Sequence, residues 1–145
     1  MKVSTKGRYG LRLMIDLAIF YDVKLVSLKD ISKKENISGK YLEQIIMQLH
    51  RGNLVKGVRG AQGGYALSRE PQQITVGDVL RVVEGSMSPV DCLDKNDACE
   101  RRQHCTTLEV WEKLKNAIDG VIDNITLKDL ADKEIEKQTE FTYII

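Results

Sequence analysis

The chain has no long apolar run, no nucleotide-binding glycine loop, no closely spaced cysteine pair, and no acidic residue between Glu43 and Glu70. Each gap excludes something. A membrane-spanning helix needs about 20 consecutive apolar residues, and here apolar runs last only a few. The N-terminus, MKVSTKGRYGLRLM, has neither the continuous apolar stretch nor the cleavage pattern of a secretory signal. A cytoplasmic protein without membrane contact is the expectation. Gly60, Gly63 and Gly64 lack the lysine of a phosphate-binding loop, so they read as hairpin chemistry. The two histidines, His50 and His104, have no nucleophile at a recognisable spacing, which makes an enzyme the weakest class. The three cysteines are an odd number, which argues against a disulfide framework in a cytosolic protein.

What is present is a sharp division of charge. The 145 residues carry a net charge of +1, yet residues 1–69 hold thirteen Lys/Arg against five Asp/Glu. Residues 70–145 hold nine against sixteen. The first half is attracted to phosphate and the second repelled by it. A hydrophobic content of 42% is enough for a packed core, in one domain or a small domain with an appendage.

The segment from Ile37 to Leu67, ISGKYLEQIIMQLHRGNLVKGVRGAQGGYAL, reads as helix, strand, glycine-rich reversal and strand. Ser38 caps the helix. Tyr41, Leu42, Ile45, Ile46 and Leu49 recur at helical spacing on one face, while Lys40, Glu43, Gln44, Met47, Gln48 and Arg51 occupy the other. Gly52-Asn53 stops the helix, Leu54–Val58 is strand-like, and the glycines from Gly60 to Gly64 permit a hairpin.

Around this segment the chain reads in order. Residues 1–7 are basic and extended. From about Arg8 to Tyr21 runs a helix apolar on more than one side, either packed on another subunit or fully buried at the centre. Ser27 to Asp30 is a capping box opening a short helix, which pairs with the Ser38 helix as a helix-turn-helix. Pro71 ends the wing. Thr75 to Asp78 is a second capping box, opening a helix to about Glu84 that Gly85 terminates. Residues 86–104 have no apolar periodicity, and a polar loop of that length needs a reason, such as ligation of a cofactor or local disorder. From about Cys105 to Asn124 the pattern returns, with Leu108, Trp111, Leu114, Ile118, Val121, Ile122 and Ile125 at helical spacings, the pattern of a dimerisation helix. Thr126 to Asp129 is a third capping box that starts an acidic helix to about Lys137, and the tail EFTYII is apolar and strand-like. The expected fold is mainly α with a small β-hairpin wing. It divides into a winged helix-turn-helix DNA-binding domain at 1–85, a cysteine loop at 86–105, and a dimerisation helix with C-terminal helix and tail at 106–145.

Winged helices also serve as protein-interaction modules, and the charge asymmetry favours DNA. The helix after Ser38 would then lie in the major groove. Lys40 would donate to guanine or phosphate, Gln44 would address adenine, and Glu43 would accept from cytosine or reject other sequences. Arg59, beside Gly60 at the hairpin tip, would enter a narrow minor groove or contact phosphate. Ser38, Lys40, Tyr41, Glu43, Gln44, Arg51, Arg59 and Gly60 are the candidate DNA-binding residues. Two copies imply a near-palindromic operator.

Cys92, Cys99 and Cys105 are separated by six and five residues. Structural zinc favours pairs two to four residues apart, whereas wider spacing in a loop suits an iron–sulfur cluster. Redox-active thiols, with Arg101, Arg102 and His104 nearby, are the alternative. His104 (strained by its neighbour Cys105), Glu109 and a group from another part of the dimer are candidates for a fourth ligand.

STKGRYGLR, ISGKYLEQI, VRGAQGGYAL, ITVGDVLRVVEG, the cysteine loop and NITLKDLA together resemble the Rrf-two superfamily of bacterial regulators, over essentially Met1 to Ala131. The resemblance implies a dimeric winged-helix transcription factor that reads DNA through Ser38 to Gln44 and Arg59. IscR-like members bind a 2Fe–2S cluster through three cysteines matching Cys92, Cys99 and Cys105, and control iron–sulfur cluster biogenesis genes. The cluster is oxygen-sensitive, so purified protein can lack it. Their usual fourth ligand, a histidine three residues after the last cysteine, is Leu108 here. The acidic N-terminal ligand of NsrR-like members corresponds to Arg8. The fourth ligand is therefore unassigned. GSMSP before the loop and the ending EFTYII resemble CymR-like members, which repress cysteine metabolism through a protein partner, generally without a cluster.

Overall fold

The structure, a computed structural model, describes residues 2–94 and 100–144. Its elements are α1 (Thr5–Ile19), α2 (Leu28–Glu35), α3 (Gly39–Arg51), β1 (Val55–Val58), β2 (Gly64–Leu67), α4 (Val76–Glu84), α5 (Leu108–Ile122) and α6 (Leu127–Ile144). Short 3-10 turns lie at Pro71–Gln73, Asp91–Leu93 and Arg102–His104. Among the described residues no helix is long and apolar enough to cross a membrane.

Helix α1 starts at Thr5 because the Ser4 hydroxyl accepts from the Gly7 amide at 3.2 Å, so residues 5–7 are helical rather than extended. Its apolar sides are covered within one chain, by α2, α3, α4, α6 and β2. Leu11, Ile15 and Ile19 stay half-buried at its margin. Leu13, Met14 and Leu17 on α1 are at most 1% exposed, as are Leu42, Ile45 and Leu49 on α3. Full burial of each such side chain contributes roughly 1.5–3 kcal/mol.

Both later capping boxes form. The Asp78 carboxylate accepts from Thr75 N at 2.9 Å and the Thr75 hydroxyl accepts from Asp78 N at 3.0 Å. Thr126 and Asp129 repeat the arrangement at 3.0 and 3.1 Å. The two boxes sit side by side, because Val76 N donates to Ile125 O and Leu127 N to Ile74 O, each at 2.9 Å. This short bridge brings α6 onto α1, and Leu127 and Ala131 join the same core cluster as Leu13 and Leu42. One core thus unites residues on both sides of position 105.

Helix α6 runs to Ile144, so the tail EFTYI is helical, not strand-like. No glycine or proline interrupts 127–144, which lets the helix continue. Helix α5 is sparsely covered. Of its 15 residues only Ile122 is buried, while Val110 and Val121 are 54% and 59% exposed.

Candidate nucleic-acid interface and cysteine loop

The turn between α2 and α3 is fixed by its own residues. Asn36 is left-handed, with φ 54°, and its amide closes α2 onto Ser32 O. The Ser32 hydroxyl donates to Ile37 O at 2.5 Å, and Ser38 then caps α3 by accepting from Tyr41 N at 3.4 Å. Ser38 therefore acts as a cap at the point where α3 begins. Leu42, Ile45, Ile46 and Leu49 turn into the core, which leaves Lys40, Glu43, Gln44, Met47, His50 and Arg51 exposed. Tyr41 turns differently: its ring meets Tyr9 of α1 edge to face, with centroids 5.8 Å apart.

Strands β1 and β2 pair antiparallel from Val55↔Leu67 to Val58↔Gly64. Val26 extends the ladder, exchanging backbone hydrogen bonds with Tyr65 at 2.9 and 2.8 Å. The connecting turn needs its glycines. Gly60 has φ +114°, and a Cβ on Gly63 would lie 2.0 Å from Val58 O. Gly63 N closes the turn onto Gly60 O at 3.0 Å, which leaves Arg59 exposed at the tip.

A groove of about 630 Å³ runs between the end of α3 and this hairpin, lined by Ser27, Met47, His50, Arg51, Arg59 and Gly60 among others. Arg51, Arg59 and Gly60 thus share one groove, while Lys40, Glu43 and Gln44 lie along the exposed face of α3. Among the described residues, Lys40, Arg51, Lys56 and Arg59 have no ion-pair partner. Uncompensated cations along one helix face and hairpin suit a polyanion. Sequence reasoning missed Ser27, Met47 and His50 as groove-lining residues. The periodicity held a signal for two of them, since 40, 43/44, 47 and 50/51 follow the helical repeat.

Cys92 lies in the Asp91–Leu93 turn and Cys105 directly follows the Arg102–His104 turn, both half-buried free thiols. Cys99 lies outside the described residues. The loop's two ends are joined, because the Arg102 guanidinium donates to Cys92 O. Ser86 and Ser88 hydroxyls both donate to the Asp94 carboxylate, at 2.6 and 2.8 Å. The Cys105 thiol titrates below its ordinary range, chiefly because Thr107 Oγ1 lies 3.3 Å from its sulfur, with a further push from the Arg101 charge. Soft thiolates held at both ends of a tied loop fit the donor chemistry of an iron–sulfur cluster. Among the described residues no three His, Cys, Asp or Glu side chains are grouped to hold a metal. His104 and Glu109 are exposed, and Glu109 pairs with Lys113 at 3.3 Å.

A capped helix after a tight turn, backed by a core and flanked by a glycine-closed wing, defines a winged helix-turn-helix regulator. The Rrf2 family pattern, described as an iron-dependent transcriptional regulator, matches residues 3–133, and the chain belongs to that family. The HTH-type transcriptional regulator CymR of Bacillus subtilis is 43% identical over 145 residues, covering all of both chains. IscR of Escherichia coli is 36% identical over 134 residues, covering 92% of this chain and 82% of that one. The solved structure of CymR, the global cysteine regulator of B. subtilis, superposes with TM-score 0.76 and 44% identity, covering 92% of this chain and 98% of that one. The structure of T. potens IscR also gives TM-score 0.76, with 46% identity, 95% of this chain and 91% of that one. The protein is thus a transcriptional regulator with relatives named both CymR and IscR.

Proposed function

We propose that the protein is a cytoplasmic, homodimeric repressor whose hold on a near-palindromic operator depends on a 2Fe–2S cluster held by Cys92, Cys99 and Cys105. On this reading it controls iron–sulfur cluster biogenesis genes. The observation that carries it is the cysteine loop: two half-buried thiols at its ends, joined by the Arg102 hydrogen bond to Cys92 O. When bound, the cluster supplies a cross-link among the thiolates that oxygen and iron supply make conditional. The chain's own residues do the reading. Lys40, Glu43 and Gln44 address base edges in the major groove, Ser38 fixes the start of α3, and Arg51, Arg59 and Gly60 track the backbone and minor groove. Tyr41 supports that face from its contact with Tyr9. The uncovered face of α5 holds the second copy, and two copies of α3 set the operator symmetry.

Anaerobic reconstitution tests this, read by visible absorption, by iron and sulfide content, and by operator titration. A coloured protein whose operator affinity changes with loading, and loses that change in Cys92→Ala, is the expected result. Colourless, iron-free protein with the affinity of Cys92→Ala equal to wild type would overturn it.

A second reading has its own observation, the 43% identity with CymR over the full 145 residues, tail included. On that reading the protein represses cysteine metabolism, through a partner enzyme of that metabolism or through thiol oxidation, with no cluster. Retained regulation in the triple Cys→Ala variant, together with co-purification of such an enzyme, supports the partner form. Loss of regulation only on oxidant treatment supports the thiol form.

A further inference from the structure

One buried charge serves neither the groove nor the cysteine loop. Asp16 on α1 is 3% exposed. Its Oδ1 receives Lys34 Nζ of α2 at 2.5 Å, while its Oδ2 is buried without a hydrogen-bond partner. Glu35, the last residue of α2, is held by Arg12, one turn earlier on α1, with Nε at 2.9 Å and Nη2 at 2.5 Å. Arg12 in turn lies 5.5 Å from the centroid of Tyr9, whose ring meets Tyr41 on the first turn of α3. Tyr9, Arg12 and Asp16 follow the helical repeat along one face of α1. That face grips the end of α2 and the start of α3 together. Only Asn36, Ile37 and Ser38 separate Glu35 from α3, and the Ser32 hydroxyl bonds to Ile37 O pin that turn. A shift at the end of α2 therefore passes directly into the angle of α3.

An ionised carboxylate buried with one oxygen unpartnered is a poor choice for stability alone. Burial pushes the Asp16 carboxyl up to about 6. Lys34 pulls it back down, and the neighbouring Glu35 carboxylate pushes it up again. Arg12 faces Glu35 from α1 and completes the charged set at this joint. A folded-state value above the ordinary 3.8 means the folded chain binds the proton more tightly than the unfolded one. The stability this group lends is fully present below 3.8 and lost as pH rises through about 6. At neutral pH the ionised form is thus less favourable to the fold than the protonated form, which marks the group for another role.

We infer that Asp16 is a positioning residue for DNA reading, setting the angle of α3 through Lys34 and Glu35 without touching DNA. The inference rests on α3 being the groove-reading helix and is independent of the cysteine loop. Losing the Asp16 charge releases Lys34 and lets the protonated carboxyl donate to Glu35, so the joint has two arrangements.

The test uses the full chain and a duplex selected from a random-sequence library by the wild-type protein at neutral pH. Affinity for that duplex and for random DNA is measured across the range around pH 6, with thermal unfolding alongside. Wild type should change its selected-duplex affinity about fivefold with a midpoint near pH 6. Asp16→Asn should show no such step, an unchanged pH response on random DNA, and a melting temperature at neutral pH equal to or above wild type. Glu35→Gln, which keeps Asp16, should move the midpoint to lower pH. Parallel profiles in wild type and Asp16→Asn, or an unmoved midpoint in Glu35→Gln, would overturn the inference. So would an Asp16→Asn protein that melts earlier and loses selected and random DNA alike. Failure to select any sequence would refute the DNA-reading helix itself, and the inference with it.

Discussion

Helices α3 and α5 are of similar length, 13 and 15 residues, and both are amphipathic, yet α3 buries four side chains and α5 one. The difference is in what covers them. The apolar stripe of α3 is closed by α1, α4 and β1 of its own chain, so its polar face is left for an outside partner. The stripe of α5, with exposed Val110 and Val121 and half-buried Leu114, is covered mainly toward its C-terminal end, where Ile118 and Ile122 pack with Val76 and Leu80 of α4, Leu11 of α1 and Leu130 of α6. A helix with a covered apolar face can read a polymer, while one with an uncovered apolar face calls for a second protein surface. On this chain the two sit in opposite charge environments, the basic first half and the acidic second half.

The largest effect should come from spoiling the uncovered stripe. Leu114→Asp with Val121→Asp should leave circular dichroism unchanged but give a monomer by sedimentation. Operator affinity should drop by about a hundredfold or more, because two linked half-site contacts become one. A variant that stays dimeric would break the contrast between the helices. Next is the covered stripe itself. Leu49 is 0% exposed, and Leu49→Ala should cost about 2–5 kcal/mol in chemical denaturation. A loss below about 1 kcal/mol would mean the site collapses around the change, and α3 is held less firmly than its burial suggests.

On the polar side, Arg59→Ala should weaken operator binding by about 1–3 kcal/mol and leave unfolding unchanged, since Arg59 is exposed at the wing tip. An equal loss on random DNA would make it a phosphate contact rather than a minor-groove reader.

The contrast also explains what could be read from the sequence. Capping boxes at Thr75 and Thr126 and the cap at Ser38 were legible because each satisfies backbone donors locally, within three residues. The wing was legible because Gly60 and Gly63 have a conformational reason to be there. Long-range relations were not. That Thr75 and Thr126 lie side by side, so that Leu127 enters the main core, follows from a backbone bridge between residues 51 apart in sequence. Tyr41 read as part of both the apolar and the DNA face, and its edge-to-face contact with Tyr9 of α1 had no sequence signal. The β-favouring residues of EFTYI gave no local sign that α6 runs on to Ile144, because strand propensity depends on context. Asp16 gave no signal, since a lone carboxylate in an apolar run looks like any solvated charge until Lys34 and Glu35 are placed beside it.

The smallest expected effect lies where the two regions are joined. Arg81 on α4 reaches Asp123 at 2.5 Å and Asp119 at 2.9 Å, and Lys115 also holds Asp119, at 2.7 Å. The Asp123 carboxylate raises the Arg81 guanidinium further above its ordinary value, and Lys115 with Arg81 holds the Asp119 carboxyl below its own. For Asp119 the stabilisation is present above the ordinary carboxylate value of 3.8 and is lost as pH falls through the lower folded value. Arg81 is 38% exposed, so solvent screens these pairs and their worth is small. Arg81→Gln should cost about 0.5–1 kcal/mol, less at high salt, and raise amide exchange in α5 while α3 stays protected. Equal loosening of both helices would mean that α5 belongs to the same cooperative unit as α3, and that its exposed stripe is no sign of independence.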